Sequence, residues 1–529
     1  MPLINMNKNR RSVAYTISTL ILTGFTVSIL AQEVSIPDPG LNAAIRQALQ
    51  KPSGPLTQQD LLRLTVLDAS RREVRGVQGL EAAHNLVTLD LQINRLTSFS
   101  LPNELVNLTT LDLSVNSLTN CSIPSGLTNL AKLVINGNAL RSFTLPSDLT
   151  GVTDLDLENN LLTRFNLSSN LTSLVNLDLG FNLLTNFSLP SGLTNLSSFY
   201  FAGNPLTDFA LPPGLTGLID LNVSQSLLTS FTLPTGMTNL VELDLAINQL
   251  TNLILPGDLL SLNDLDLDFN QFTSLSLPTN LASLALLHLR ANRFADFTLP
   301  TGMTGLDYLD LRENQLTNLT LPADLNNLRS LGLSDNRFTS FVLPAGLTNL
   351  VTLHFSLNQL TNLVLPPDLI HLDTLNLGGN PLTSIHLPSG LTHLTGLFVT
   401  GDQLTSLTLP PDMTQLLSLG FLGNPLSTLV LPEPLATTSL AEAVAFLRDG
   451  GVAVFTYPLT VQFVEPGALI GAFKFGITGP PGAYAVIGST NLVDWSEVGF
   501  TTNTLGAIRF TDTTAHLSQQ KFYRAQLLP

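Results

Sequence analysis

Leu86-Val87-Thr88-Leu89-Asp90-Leu91-Gln92-Ile93-Asn94-Arg95-Leu96 is answered 22 residues on by Leu108-Thr109-Thr110-Leu111-Asp112-Leu113-Ser114-Val115-Asn116-Ser117-Leu118. The frame continues without insertion through Asn138, Asn160, Asn182 and Asn204 to Asn424. Of its sixteen rungs only two lack the asparagine, and they carry Ser226 and Asp402. So strict a period marks a stacked repeat array, in which each short unit can bury its apolar face only against its neighbours.

Around each rung the residue types repeat as well. Apolar residues stand five and three positions before the asparagine, as at Leu155 and Leu157, and this alternation predicts a short strand with one buried face. Five positions after it runs a column of phenylalanines (Phe99, Phe143, Phe165, Phe187, Phe209 and onward), completed by leucines, Ile385 and Cys121. Eight after it stands proline at fifteen rungs, Ser168 being the exception. Proline fixes its own φ and pushes the preceding residue into an extended conformation, so the return path is expected to be extended or polyproline-like, with too few residues for a helix.

The pattern resembles the leucine-rich repeat family, L-x-x-L-x-L-x-x-N-x-L, on residues such as Leu86, Leu89, Leu91, Asn94 and Leu96. The resemblance implies a curved solenoid with a parallel sheet on its concave face and asparagine side chains bonding the backbone at each turn. A buried carboxamide has the donors and the acceptor that task requires, so the asparagine column reads as structural.

The ends of such an array need caps. Asp38 and Pro39 read as an N-cap and first helical residue, with Leu41, Ile45 and Leu49 on one face, and Thr57 with Asp60 forms a second capping box. Arg72 stands in the asparagine slot 22 before Asn94. This segment, 32–85, is a helical cap with a degenerate first repeat and resembles the caps of secreted bacterial internalin-like proteins. The array is expected over 86–435. A C-terminal cap follows over 436–458, with Ser439 and Glu442 starting a helix that Gly450 and Gly451 stop. From 459 to 529 alternating residues such as Phe473, Phe475 and Ile477 between Gly, Pro and Asn turns predict a small all-β module. Its segments Ser489-Thr490-Asn491-Leu492-Val493-Asp494-Trp495, Phe510-Thr511-Asp512 and Phe522-Tyr523-Arg524 resemble a C-terminal module of large secreted proteins of environmental bacteria.

Before the cap, Lys8, Arg10 and Arg11 precede an apolar stretch over 20–30 that ends at Ala31, the build of a secretory signal peptide whose removal leaves Gln32 first. No second stretch is apolar enough to span a membrane, so no membrane insertion is expected after cleavage. The chain carries 39 acidic against 23 basic residues and a formal charge of −16, which repels a phosphate backbone and sets nucleic acid aside as a partner. A single cysteine excludes an internal disulfide.

Catalytic signals are missing. The seven histidines form no H-E-x-x-H, and no phosphate loop, dinucleotide fingerprint or nucleophile elbow occurs. The expectation is a non-enzymatic secreted or cell-surface protein, without cofactor or metal, that recognises a protein ligand on its concave face. The candidate ligand-binding residues are the departures clustered between rungs 248 and 314: Glu242, Asp244, Asp264, Asp266, Asp268, His288, Arg290, Tyr308, Asp310 and Arg312. Calcium at Asp264, Asp266 and Asp268 is disfavoured, because carboxylates along a straight strand cannot wrap an ion. Two other functions fit the same scaffold. One is a glycan-binding adhesin using Tyr200, Tyr308 and Phe398, and the other is an accessory module of an extracellular enzyme system.

Overall fold

The computed structural model describes residues 32–528, so the leader expected over 1–31 lies outside the described residues. The array is a parallel β-solenoid whose concave face is one 17-stranded sheet of three-residue strands, from Val66–Asp68 to Ser418–Gly420. Each residue pairs with the one 22 positions on, Leu89 with Leu111 and Leu111 with Leu133. The leucines five and three before the rungs are buried, Leu419 at the last rung only partly, while the residue between them lies on the outer face. The expected leucine-rich repeat fold, with few helices, is what the chain forms.

The asparagines hold successive coils together. Asn116 accepts the Leu96 amide at 3.0 Å and donates to the Leu91 carbonyl of the preceding coil and the Leu113 carbonyl of its own, both at 3.0 Å. Asn270 repeats this with the Leu250 amide and the Leu245 and Leu267 carbonyls. At the vacant rungs the link weakens. Ser226 reaches only the Ser224 carbonyl, at 3.3 Å. Asp402 accepts the Asn380 amide at 2.6 Å but leaves its second oxygen without a partner, and burial pushes its carboxyl up to about 7.

Two features escaped the sequence reading, one found at every rung and one at five coil pairs. The residue just before every rung is left-handed: glycine at Gly137, Gly203, Gly379, Gly401 and Gly423, but Ile93 (φ 54°), Val115 (53°) and Ile247 (55°) elsewhere. Its amide thereby reaches the next coil, Val115 N–H donating to the Asn136 carbonyl at 2.9 Å. On the far side, an aspartate ten after one rung accepts the amide of the glycine in the coil before, as in Asp148 to Gly126 at 2.7 Å and Asp324 to Gly302 at 2.8 Å. The extended return path is also more ordered than expected, because short strands such as Ser98–Ser100 and Asn120–Ser122 pair in small parallel sheets behind the main one.

Between the two faces lies the phenylalanine column. Phe143, Phe165 and Phe187 stack with centroids 6.4 and 6.5 Å apart, and at Phe209 the rings of Phe199 and Phe201 join the column. Cys121 fills the same column, and burial pushes its thiol up to about 12.

The N-terminal helix Pro39–Ala48 is capped by Asp38, which accepts the Leu41 amide at 2.9 Å, and Thr57 with Asp60 caps the short helix Gln58–Leu61 reciprocally. At the other end Thr428–Pro432 and Ala453–Tyr457 close the solenoid as parallel neighbours, with the helices Glu433–Thr437 and Ala441–Asp449 between them. Here the expected cap at Ser439 is corrected. Leu440 occupies the N-cap without a side-chain bond, because the Ser439 hydroxyl donates instead to the Leu416 carbonyl at 2.6 Å. Beyond lie two three-stranded antiparallel sheets around Phe475, Ile477, Tyr484 and Val486. Within this module Asp512 is buried. Burial works to raise its carboxyl, but bonds from Lys521 (2.7 Å), Thr514 and Tyr523 (2.9 Å) hold it at about 2. Among the described residues, no helix is long and apolar enough to cross a membrane.

Phe209 sits in the densest part of the ring column, so Phe209→Ala is expected to cost about 3–5 kcal/mol in denaturant unfolding. Cys121→Ala removes a single heavy atom and should cost clearly less. Equal, mild losses at both positions would contradict the packing described.

Candidate binding surface

On each concave strand three positions point outward, six, four and two before the rung. The strands Glu242–Asp244, Asp264–Asp266, Leu286–His288 and Tyr308–Asp310 are consecutive, and register sets Glu242 beside Asp264, Asp244 beside Asp266, Asp266 beside His288, and His288 beside Asp310. Asp268, Arg290 and Arg312 follow at the strand ends. All ten candidate residues therefore lie on one face, within four adjacent coils.

They are not equally free. The sequence reading treats the position four before the rung as open, but its carboxylate ends the strand by accepting the amide two residues on. Asp244 accepts from Ala246 at 2.9 Å, Asp266 from Asp268 at 2.9 Å and Asp310 from Arg312 at 3.0 Å, as Asp90 and Asp112 do earlier. A short side-chain acceptor favours this local turn, which explains why aspartate recurs there. Asp310 is the extreme case, only 1% exposed, with Arg312 Nε at 2.8 and 2.9 Å from its two oxygens and the Tyr308 hydroxyl donating at 3.1 Å. Burial works to raise its carboxyl, but the Arg312 bonds prevail and hold it below the usual carboxylate range. Arg290 is also engaged, through Nε with Glu313 at 3.0 Å and over the Phe269 ring at 5.4 Å. Glu313 escaped the sequence reading because it lies just before a rung, outside the outward columns. His288 has Nε2 3.7 Å from Asp264 and its ring 5.0 Å from that of Tyr308.

The unpaired acids crowd one another. Burial, with Asp266 adding to it, pushes Asp268 up to about 7. Burial likewise raises Glu242, with Asp220 and Asp264 contributing, and raises Asp266, with Asp244 contributing. Asp266, Asp268 and His288 bring ligand-type atoms within 4.8 Å of one another. The trio takes its third member, His288, from the neighbouring strand and leaves Asp264 outside, and an imidazole nitrogen is not the oxygen donor that calcium takes.

A second concave region was missed. Lys132, Asp154, Asp156, Asn176, Asp178 and Tyr200 line a depression of about 450 Å³, and burial, followed by the Asp156 charge, pushes Asp178 up to about 7. Its signal was present in the same outward columns, in the run of acids around Lys132. Tyr200, one of the rings considered for a glycan, is exposed at this region's edge, whereas Phe398 lies between Gly396 and Gly420, where a Cβ would come within 3.0 and 2.9 Å of its ring.

A family model described as the BspA type leucine-rich repeat region, in six copies, matches residues 92–178, 179–292, 290–398 and 333–446. The chain belongs to the BspA-type leucine-rich repeat family. No curated protein matches its sequence. Among solved structures, the functional domain of the internalin InlJ from Listeria monocytogenes is similar to this BspA-type chain with a TM-score of 0.54 at 18% identity, over 85% of this chain and 97% of the other. A TDR receptor is similar with a TM-score of 0.54 at 23% identity, over 76% and 77%. These likenesses show an internalin-like fold. InlJ is described as including a cysteine ladder, whereas this BspA-type protein has Cys121 alone.

The crowding of acids sets a pH dependence. A carboxyl raised from its ordinary value of 3.8 to about 7 withdraws stability as pH rises through that window, because the folded state then holds the proton more tightly than the unfolded one. Asp268→Asn keeps an acceptor for the Arg290 amide and removes the charge. Its melting temperature is expected to exceed wild type at pH 8 and the gap to close toward pH 4, measured by circular dichroism. A gap independent of pH would contradict the charge assignment.

Proposed function

We propose that this is an exported protein that recognises a protein ligand, without catalysis, through the concave patch of Glu242, Asp244, Asp264, Asp266, Asp268, His288, Arg290, Tyr308, Asp310 and Arg312. One observation carries the reading. Side chains of both signs and two rings stand in register on four adjacent strands whose backbone is already fixed by the rungs. Such preorganisation lowers the ordering cost of association. Within the patch the roles divide. Arg312, Asp310 and Tyr308 form a rigid polar centre, Arg290 with Glu313 frames it, and Glu242, Asp264, Asp266 and Asp268 supply acceptors for a cationic counterpart. Export rests on the leader read in 1–31. The absence of catalysis rests on the missing motifs and on the sole thiol being buried and held at about 12.

Pull-down from the native microbial community compares the full chain with the double variant Glu242→Lys and Asp264→Lys, both outward-facing. Surface changes of this kind typically shift stability by about 0.5 kcal/mol or less, so melting should be nearly unchanged while the proteins recovered by the full chain are lost. Recovery of the same proteins by the variant would contradict the assignment of the patch. Removing 459–529 is expected to leave this recovery intact, and its loss would move recognition to the C-terminal module.

A further inference from the structure

All sixteen residues that immediately precede a rung are left-handed, and eleven of them are not glycine. A Cβ is disfavoured in this conformation, most of all a branched one. The chain shows the unstrained solution at Gly137, Gly203 and Asn159, yet places Val115, Phe181, Ile247 and Phe269 at other rungs. These side chains are not repaid by burial, since Val115, Ile247 and Phe269 are 53, 49 and 45% exposed. Phe181 lies across Gly203, where a Cβ would come within 2.6 Å of its ring, so the neighbouring coil is cut back to accommodate it. One column further, just after the rungs, Leu161, Leu183 and Leu227 are exposed as well. Neither backbone preference nor core packing accounts for this apolar row, and strain retained without a folding benefit points to a surface in use.

The row is concentrated on one part of the array, since past Phe269 the column carries Ala291, Glu313 and Asp335 before an isolated Leu357, 61% exposed. From Val115 to Phe269 it crosses seven coil steps, roughly 34 Å at ~4.8 Å per strand. Arg290 closes it over Phe269. The charge of the concave face changes at the same place. From Thr88 to Asp268 the outward positions carry acids on most strands, with Lys132 as their only base. Beyond Asp268 they carry one acid, Asp310, already neutralised by Arg312. Two independent features, an apolar rim and an acidic floor, thus run side by side over these coils, and beyond them only Leu357 continues the rim.

We infer that the acidic half of the concave face and its apolar rim together dock an extended polypeptide segment that turns lysine or arginine side chains to the floor and apolar side chains to the rim. The inference deepens the proposed function and rests on the concave face being the recognition surface. Charge complementarity selects a cationic partner, the crowded carboxylates at Asp178, Glu242 and Asp268 gaining most from an incoming cation. About ten extended residues span the row at ~3.3 Å each.

Fluorescence anisotropy on the full chain, with labelled peptides of about that length, tests this. The probes alternate Lys with Leu, Lys with Ser, or Glu with Leu. The Lys–Leu peptide is expected to bind about tenfold more tightly than Lys–Ser, and Glu–Leu not to bind. Ile247→Asn combined with Phe269→Asn should reduce Lys–Leu affinity to that of Lys–Ser, with melting unchanged or raised because asparagine tolerates the left-handed backbone. Equal binding of both lysine peptides, lost with Asp244→Asn and Asp266→Asn, would overturn the rim while leaving the concave face as the recognition surface. Lysine-peptide binding that survives those two aspartate changes would overturn the concave reading itself. A melting loss in the rim variant with affinity intact, or no binding by any peptide, would overturn the inference.

Discussion

Each coil reverses direction directly after its strand, which leaves carbonyls such as those of Leu91 and Leu113 turned toward the asparagine column rather than to a neighbouring strand. An orphaned buried acceptor costs about 1–3 kcal/mol. Asparagine meets this constraint with one side chain, whose donors reach carbonyls of two coils while its oxygen takes an amide of the coil before. The 22-residue spacing follows, because an inserted residue would carry the carboxamide away from its partners in the preceding coil. The two exceptions meet it only in part. Ser226 supplies one donor in a smaller volume, whereas Asp402 supplies only an acceptor, to the Asn380 amide, and leaves its second oxygen without a partner.

With the backbone fixed in this way, the outward columns are free to vary, and they vary by region. Acids accumulate toward the N-terminal side, hydroxyl, amide and glycine positions follow on the C-terminal side, and Arg290 and Arg312 stand at the border with Glu313 and Asp310. Like charges held about 5 Å apart by strand spacing are unfavourable in the free protein. Burial first, and then the neighbouring carboxylates Asp156 and Asp266, raise Asp178 and Asp268. A face that stores repulsion and is held rigid suits the proposed recognition of a cationic surface better than it suits stability.

The fold was legible because its signals are periodic. Leu89 and Leu91, the asparagine column and the phenylalanine column each recur with one chemistry and one spacing, and local caps at Asp38 and Thr57 depend on residues only three positions apart. What stayed hidden depends on contacts between coils or on conformation. Nothing in the identities of Val115 or Ile247 announces a left-handed backbone, and the glycine–aspartate clamps appear only once Asp148 is seen beside Gly126. Ser439 had the sequence of a cap, but its hydroxyl is turned to the preceding coil, where it donates to the Leu416 carbonyl. At the candidate surface the columns were readable, so all ten residues fell on one face. Their partners were not, because the pairing of Arg290 with Glu313 and the burial of Asp310 come from side-chain geometry that spacing does not encode.

The account turns on the asparagine rungs as the bonds between coils, and native-state hydrogen exchange on Asn270→Ala tests it most directly. That substitution removes the acceptor of the Leu250 amide, now at 3.0 Å, and the donors to Leu245 and Leu267. Protection should fall at Leu250 and through the coils on either side, while amides near Leu111 and Leu397 keep theirs. Unchanged protection at Leu250 and its neighbouring coils would contradict the claim that the rungs hold the solenoid together.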